Sequence, residues 1–131
     1  MEFKQAVLYD NACYQMGEVN GIRFAGIINK HGRKIAGGFS FKVTPLEQDE
    51  KKMEMLLMEI ALDLSMRKEF DNSLGRIRAI VSYREKANII TIPHGDNLML
   101  LSSEPEIDPL KVIQLAYDNL KSIETMEVLT H

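Results

Sequence analysis

Apolar residues between positions 44 and 70 recur at helical spacing and fall on two opposite faces of the helix that they predict. At about 100° per residue, one face collects five of them: Met53, Leu56, Leu57, Ile60 and Leu64. The opposite face collects four, which we call the outer stripe: Met55, Met58, Leu62 and Met66. A sheet of the same domain can cover one apolar face, so the second face needs a different partner.

Local signals predict where this helix begins and ends. Thr44 can act as the N-cap, Pro45 suits the first helical position, and Glu47 completes a capping box. The polar run at 71–75 predicts a terminating loop after Phe70. We therefore expect one helix from Thr44 to Phe70.

The segment before this helix predicts a shorter helix and a β-hairpin. Residues 2 to about 16 combine helix formers with aromatic residues and end before Gly17. The β-branched and aromatic segments Ile22–Ile28 and Ile35–Phe41 flank a polar turn at 29–32, whose glycine permits a positive φ. This is the pattern of two antiparallel strands.

The segment after the helix predicts three strands and a final helix. Short polar loops join the strands, as in an antiparallel meander: Arg76–Arg84, Asn88–Pro93 and Leu98–Ser103. Asp108 as a cap and Pro109 at the first helical position begin the last helix, whose apolar face extends to Ile123. We expect the tail at 125–131 to be flexible.

The order α-ββ-α-βββ-α predicts an α+β fold, with one five-stranded antiparallel sheet and helices packed on it. At 131 residues the chain fits a single domain over 1–131, with a core from about 3 to 123. A net charge of −3 gives no general attraction to nucleic acid, and the longest apolar runs are too short to span a membrane. The single Cys13 favours a reducing, cytoplasmic location and packs as an inert side chain.

Motifs for catalysis or for cofactor and metal binding are lacking. His31, His94 and His131 are isolated in sequence, and we interpret His31 and His94 as exposed turn residues. No serine or cysteine lies in a nucleophile motif, and the glycine pair at 37–38 lacks a Walker lysine. The sequence therefore predicts a protein that is not an enzyme and holds no cofactor or metal.

Basic residues mark the third predicted strand. Arg76, Arg78 and Arg84 share one parity, with Ile80 and Ser82 between them, so all five would project from one face. These charges suit an edge strand that must avoid uncontrolled pairing, or a surface for an anionic protein. Nucleic acid is the least favoured partner, because no aromatic residues are interleaved on that face.

The outer stripe has three interpretations. Leaving its four side chains in water would forgo roughly 1.5 to 3 kcal/mol each, or on the order of 6 kcal/mol in total. A second copy or another protein could cover them, a terminal helix of the same chain could bury them, or they could line a small-ligand pocket. We favour association with a protein.

The element order and one long segment resemble the roadblock/dynein light chain class, a relative of the longin and profilin folds. The segment is Gly21–Ala36, GIRFAGIINKHGRKIA, which is similar to the roadblock hairpin before its second helix. The chain looks closer still to small uncharacterised proteins of ammonia-oxidising archaea, over about residues 20 to 120. Four short stretches carry that resemblance: Ala36–Phe39, Ser65–Asp71, Tyr83–Lys86 and Ile90–Pro93.

The roadblock resemblance implies a sheet sandwiched between helices and a homodimer formed by the second helix and the third strand. It assigns the outer stripe and the strand Arg76–Arg84 to dimer contact, and it implies small Ras-like GTPases as partners. Our first hypothesis is a homodimeric scaffold or signalling adaptor. The alternative is a PAS-like ligand-sensing domain, in which the methionines, Gly26 and Gly37 line a cavity.

Overall fold

A computed structural model of the chain describes the backbone of residues 3–129 and the side chains of residues 3–124. The elements in chain order are α1 (Phe3–Gly17), β1 (Ile22–Ile28), β2 (Lys34–Phe39), α2 (Glu50–Arg67), a 3-10 turn (Lys68–Phe70), α3 (Asp71–Leu74), β3 (Ile80–Tyr83), β4 (Asn88–His94), β5 (Asn97–Ser103) and α4 (Pro109–Leu129). The predicted α+β class and the order of the main elements are confirmed.

The five strands form one antiparallel sheet in the order β2-β1-β5-β4-β3. The strands at its centre, β1 and β5, come from distant parts of the chain and pair Ala25 with Leu101. The short turn of the first hairpin is held by Asn29, whose side-chain oxygen accepts hydrogen bonds from the backbone of His31 and Arg33. β2 and β3 are the two open edges of the sheet.

Helices α1 and α4 cover one face of the sheet and enclose the larger core. Alternation along β5 directs Met99 and Leu101 into this core, where both are fully buried. Residues of α1 that face the same core are likewise buried: Tyr9, Ala12, Cys13 and Met16.

Helix α2 lies on the opposite face, over a smaller apolar cluster. Phe24, Ile28 and Leu100 of the sheet meet Ala61 and Leu64, which are the buried residues of α2. Both belong to the second half of the helix. The first half contributes side chains that are only partly buried, so α2 is less closely packed on the sheet at its N-terminal end.

The predicted start of α2 is wrong by five residues. Asp49 is the N-cap, and its side chain accepts hydrogen bonds from the backbone of Lys51 and Lys52 at 2.9 and 3.2 Å. Thr44, Pro45 and Glu47 lie in the preceding loop. The Thr44 carbonyl oxygen accepts a hydrogen bond from Arg23 on β1, which holds this segment against the sheet instead of at a helix end.

The predicted end of the helix is also corrected. Helical backbone continues past Phe70 through α3, so residues 71–74 are not the terminating loop that their polar composition predicts. Gly75 ends the helical segment with a φ of +82°, and its N–H donates to the Asp71 carbonyl. The glycine is therefore the effective stop signal.

Strand β3 is shorter than the predicted strand Arg76–Arg84. Its ladder with β4 runs from Ile80, paired with Thr91, to Tyr83, paired with Asn88. The carbonyl oxygen of Arg78 accepts a hydrogen bond from the Tyr117 hydroxyl on α4. At the observed register Arg78 would stand opposite Pro93, which has no N–H to donate to a longer ladder.

The last helix begins as predicted and extends further. The Asp108 side chain accepts a hydrogen bond from the Leu110 N–H at 3.0 Å, which confirms the cap. The helix continues to Leu129, beyond the predicted limit at Ile123, so the backbone at 125–129 of the expected tail is helical. Residues 130 and 131 lie outside the described part of the chain.

Candidate interaction surface

The outer stripe lies on the solvent side of α2. Met55, Met58, Leu62 and Met66 are between 58% and 62% exposed, and no segment of the described chain covers them. At 1.5 Å per residue the stripe extends over roughly 16 Å along the helix. The predicted helix with two apolar faces is therefore confirmed, because the opposite face carries the buried Ala61 and Leu64.

The tip of the first hairpin contacts the middle of α2. Gly32 is buried and has a φ of +80°, and a Cβ atom at this position would lie 2.6 Å from the Met58 Cα. Only glycine allows this approach together with this backbone conformation. The contact ties the hairpin to the helix that carries the outer stripe.

The residues assigned to the third strand separate into two groups. Ile80 packs against the cluster beneath α2, while Ser82 is exposed on the same strand. Arg76, Arg78 and Arg84 lie outside β3, so the prediction that all five side chains project from one strand face is wrong. The three arginines remain exposed, and β3 is an edge strand, as the edge interpretation requires.

A groove of about 1000 Å³ separates the first half of α2 from the sheet. All five strands contribute to its floor, through Phe39, Phe24, Leu100, Ser102, Ile89 and Ser82. Met53, Leu56 and Ile60 form part of its roof. No sequence pattern predicts this groove, since it depends on how α2 is placed over the sheet.

A β-bulge turns Arg23 toward the groove. The register between β1 and β5 shifts between Ile22 and Phe24, which leaves Arg23 as the extra residue. Its guanidinium donates to Glu104 at 2.7 Å and to the Thr44 carbonyl at 2.9 Å, and the side chain is 13% exposed. Arg23 thus joins the loop before α2 to the end of β5 and forms part of the groove wall.

The cavity expected for a PAS-like domain does not form from the predicted residues. A Cβ atom at Gly26 would meet the Phe24 ring beneath α2, whereas one at Gly37 would meet Cys13 of α1. The two glycines therefore face opposite sides of the sheet. Met55 is the member of the outer stripe that borders the groove.

His94 is not the exposed turn residue that the sequence predicts. Its side chain is 11% exposed, and its Nδ1 shares a 2.8 Å hydrogen bond with the Tyr9 hydroxyl. Asn97 also donates to that hydroxyl, and the His94 Nε2 lies 3.5 Å from a Glu124 carboxylate oxygen. Tyr9 is far away in sequence, so this network has no local signal. His31 is exposed, as predicted, and His131 lies outside the described residues.

Cys13 is buried in the core, as predicted. Burial raises the pKa of its thiol from 9.0 to about 12, and the nearby Asp10 carboxylate acts in the same direction. The folded thiol therefore stays protonated and unreactive at neutral pH.

We expect two measurable consequences of this buried thiol. At pH 8, a disulfide reagent should label Cys13 only after denaturant unfolds the protein. Because the thiol ionises near pH 9 when unfolded and near pH 12 when folded, stability should decrease as the pH rises above 9. Rapid labelling of the native protein, followed by absorbance, would contradict the buried position.

Among the described side chains, no group of three His, Cys, Asp or Glu residues is arranged to hold a metal ion. Within the same part of the chain, no helix is both long and apolar enough to cross a membrane.

Solved structures with the same fold include roadblock domains. The roadblock/LC7 domain from Streptomyces avermitilis aligns with a TM-score of 0.69 at 10% identity, over 91% of this chain and 97% of that chain. MglB of Myxococcus xanthus aligns with a TM-score of 0.72 at 10% identity, over 99% and 94% of the two chains. MglB with a tetrameric arrangement gives 0.68 at 15% identity, over 88% and 87%.

These similarities confirm the predicted roadblock-like fold, and at such low identity they concern the fold alone. The resemblance to archaeal proteins stays a prediction. No functionally curated protein sequence matches the chain. Residues 2–126 match the profile of a family described as a family of unknown function, DUF6659. The chain therefore belongs to the family DUF6659 and has the α+β architecture of the roadblock/LC7 domains.

Proposed function

We propose that this protein is a non-enzymatic interaction module that forms a homodimer through the outer stripe of α2 and the open edge of β3. The exposed outer stripe is the observation that carries the proposal. Four large apolar side chains on one face form a contiguous patch of the kind that marks a protein interface. Covering each of them would stabilise an assembly by roughly 1 kcal/mol or more.

The charges at the two ends of the stripe suit two antiparallel copies of α2. A two-fold axis near the middle of the helix would place Met55 of one copy opposite Met66 of the other. The same axis would bring Lys51, at the start of the helix, near Glu69 beyond its end. Both of these charged side chains are exposed, so the arrangement pairs opposite charges around an apolar centre.

The outer edge of β3 offers a second contact. Its backbone N–H and C=O groups on that side have no strand partner in the described part of the chain, so they form a template for pairing with another strand. Arg84 follows the strand and Arg76 and Arg78 precede it, so the ordered ladder at the edge would be confined to Ile80–Tyr83. The helix would therefore supply most of the apolar contact.

The partner beyond the second copy is also a proposal. The roadblock fold supports a scaffold or signalling adaptor, and a small Ras-like GTPase is the partner class that this resemblance implies. The arginines beside β3 suit a partner with an acidic surface, and nucleic acid is less favoured because no aromatic residues are interleaved with them. A cytoplasmic location, which the single cysteine favours, also remains a prediction.

The test is the solution mass by size-exclusion chromatography with light scattering, from low to high micromolar concentration. We expect a dimer at about twice the 14.9 kDa chain mass. Leu62→Glu places an unpaired carboxylate in the centre of the interface, so it should weaken dimerisation at least about 100-fold, or about 2.7 kcal/mol.

Tyr14→Glu is the matched control. Tyr14 is 64% exposed on α1, across the sheet from α2, so the same kind of change should leave the dimer intact. Circular dichroism should show that both variants are folded. A Leu62→Glu protein that remains dimeric would exclude the outer stripe, and a wild-type monomer at high micromolar concentration would exclude the homodimer.

A further inference from the structure

We propose that the groove between α2 and the sheet binds a single-chain amphiphile with an anionic head group, of the fatty-acid type. The groove lies beneath α2, whereas most of the proposed dimer contact lies on the outer stripe; Met55 and the end of β3 border both surfaces. The inference therefore stands independently of dimerisation, and either proposal can fail alone.

The shape of the groove favours a long, thin ligand. Its lining comes from β2 at one edge of the sheet to β3 at the other, and four spacings of about 4.8 Å give a length of roughly 19 Å. Its volume of about 1000 Å³ lies at the upper end of small-molecule sites. Phe24, Leu100 and Ile89 on the floor face Leu56 and Ile60 on the roof, so the interior is mainly apolar.

The direction of the groove argues against a peptide as its occupant. The groove crosses the strands, and β1, β5 and β4 are each paired on both sides, so the floor presents side chains and no free backbone groups. An extended peptide would bury N–H and C=O groups there, with few partners such as Ser82 and Ser102, and each unpaired group costs free energy. A hydrocarbon chain has no such groups to satisfy.

The charges at one end of the groove favour an anionic head group. Arg84 and Lys86 lie together in the turn after β3 and line the groove there. Among the described side chains, neither of these two cations is within salt-bridge distance of a carboxylate. Of the three carboxylates that border the groove, Glu47 and Glu59 lie on other segments, while Glu85 lies between the two cations and leaves this turn with a net positive charge.

Arg23 has a different part in the site. Its guanidinium is already bound by Glu104 and by the Thr44 carbonyl, so it closes the wall beside the loop that precedes α2. At the same end, the aromatic rings of Phe24 and Phe39 pack edge to face, with their centroids 4.9 Å apart. This end of the groove is therefore suited to the end of the hydrocarbon chain, and the turn with Arg84 and Lys86 to the head group.

Isothermal titration with dodecanoate below its micellar concentration tests the proposal, with dodecanol as the uncharged comparison. We expect saturable binding of one dodecanoate per chain and weaker binding of dodecanol. Raising the ionic strength should weaken dodecanoate binding and leave dodecanol binding unchanged, because salt screens only the head-group contact.

Charge variants locate the head group. Replacing both groove cations, as Arg84→Gln with Lys86→Gln, should weaken dodecanoate binding about tenfold, or about 1.4 kcal/mol, without affecting dodecanol. The matched control is Arg76→Gln with Arg78→Gln, which removes two exposed cations outside the groove and should leave both affinities unchanged. Equal effects of the two double variants would overturn the assignment of the head group.

A groove-filling variant locates the chain. Ser102→Phe should abolish binding of both ligands. A normal circular dichroism spectrum must show that the variant is folded, so that the loss of binding can be assigned to the filled groove. If the variant does not fold, the charge variants decide the proposal alone. The proposal is overturned if the wild type shows no saturable binding, if it binds only to lipid vesicles, or if Leu62→Glu removes the binding. Loss in Leu62→Glu would instead assign the amphiphile to the outer stripe.

Discussion

Gly37→Ala is expected to destabilise the protein by about 3 to 5 kcal/mol. Gly37 has a φ of +76°, and a Cβ atom there would clash with the Ala25 carbonyl oxygen on β1 and lie 2.8 Å from the Cys13 Cβ on α1. Neither neighbour can move easily, because one belongs to the strand ladder and the other to the core. Urea unfolding followed by circular dichroism measures the loss.

Gly95→Ala is the matched control for this prediction. Gly95 also has a positive φ, of +60°, but no described atom would lie within 4 Å of an added Cβ. Its variant should therefore lose only about 1 to 2 kcal/mol, from the backbone conformation alone. Similar losses in the two variants would show that the close contact between β2 and α1 is not what requires glycine at position 37.

Leu101→Ala is expected to cost about 4 kcal/mol, and Leu100→Ala about 2 kcal/mol. The two residues are neighbours on β5 and point to opposite faces of the sheet. Leu101 is fully buried beneath α1 and α4, so truncation would leave a cavity inside the larger core. Leu100 borders the groove under α2, where nearby side chains have room to move into the vacated space.

The same unfolding measurement compares these two variants, and the difference between them is more informative than either value. Equal losses would mean that both faces of the sheet are packed to the same density. That result would contradict the presence of an open groove under α2, and therefore the proposed amphiphile site. It would not affect the homodimer proposal.

Features that depend on neighbouring residues could be predicted from the sequence. The two apolar faces of α2 follow from its periodicity, and the first hairpin follows from the turn at 29–32. The Asp108 cap of α4 was likewise evident, because a cap acts on the backbone only two or three residues further along the chain. These local patterns were sufficient to predict the order of the elements and the α+β class.

Features that depend on distant residues could not be predicted. Thr44 begins a capping-box sequence, yet it lies in a loop where Arg23 of β1 binds its carbonyl. Tyr117 likewise binds the Arg78 carbonyl just before β3, and Tyr9 binds His94, whose side chain is largely buried. The outer stripe was predicted as a surface, but the groove was not, because a bulge and the placement of one helix create it.

The position of β5 in the sheet has a consequence for synthesis of the protein. β1 needs β5 as its neighbour, and Ala25 cannot pair with Leu101 until most of the chain has left the ribosome. Until then, the edge of β1 that later pairs with β5 is exposed in the first hairpin. Helix α2 also lacks the part of its apolar contact surface that β5 provides. The nascent chain therefore has to complete its central strand pair late, and premature contact between first hairpins is the expected route to aggregation.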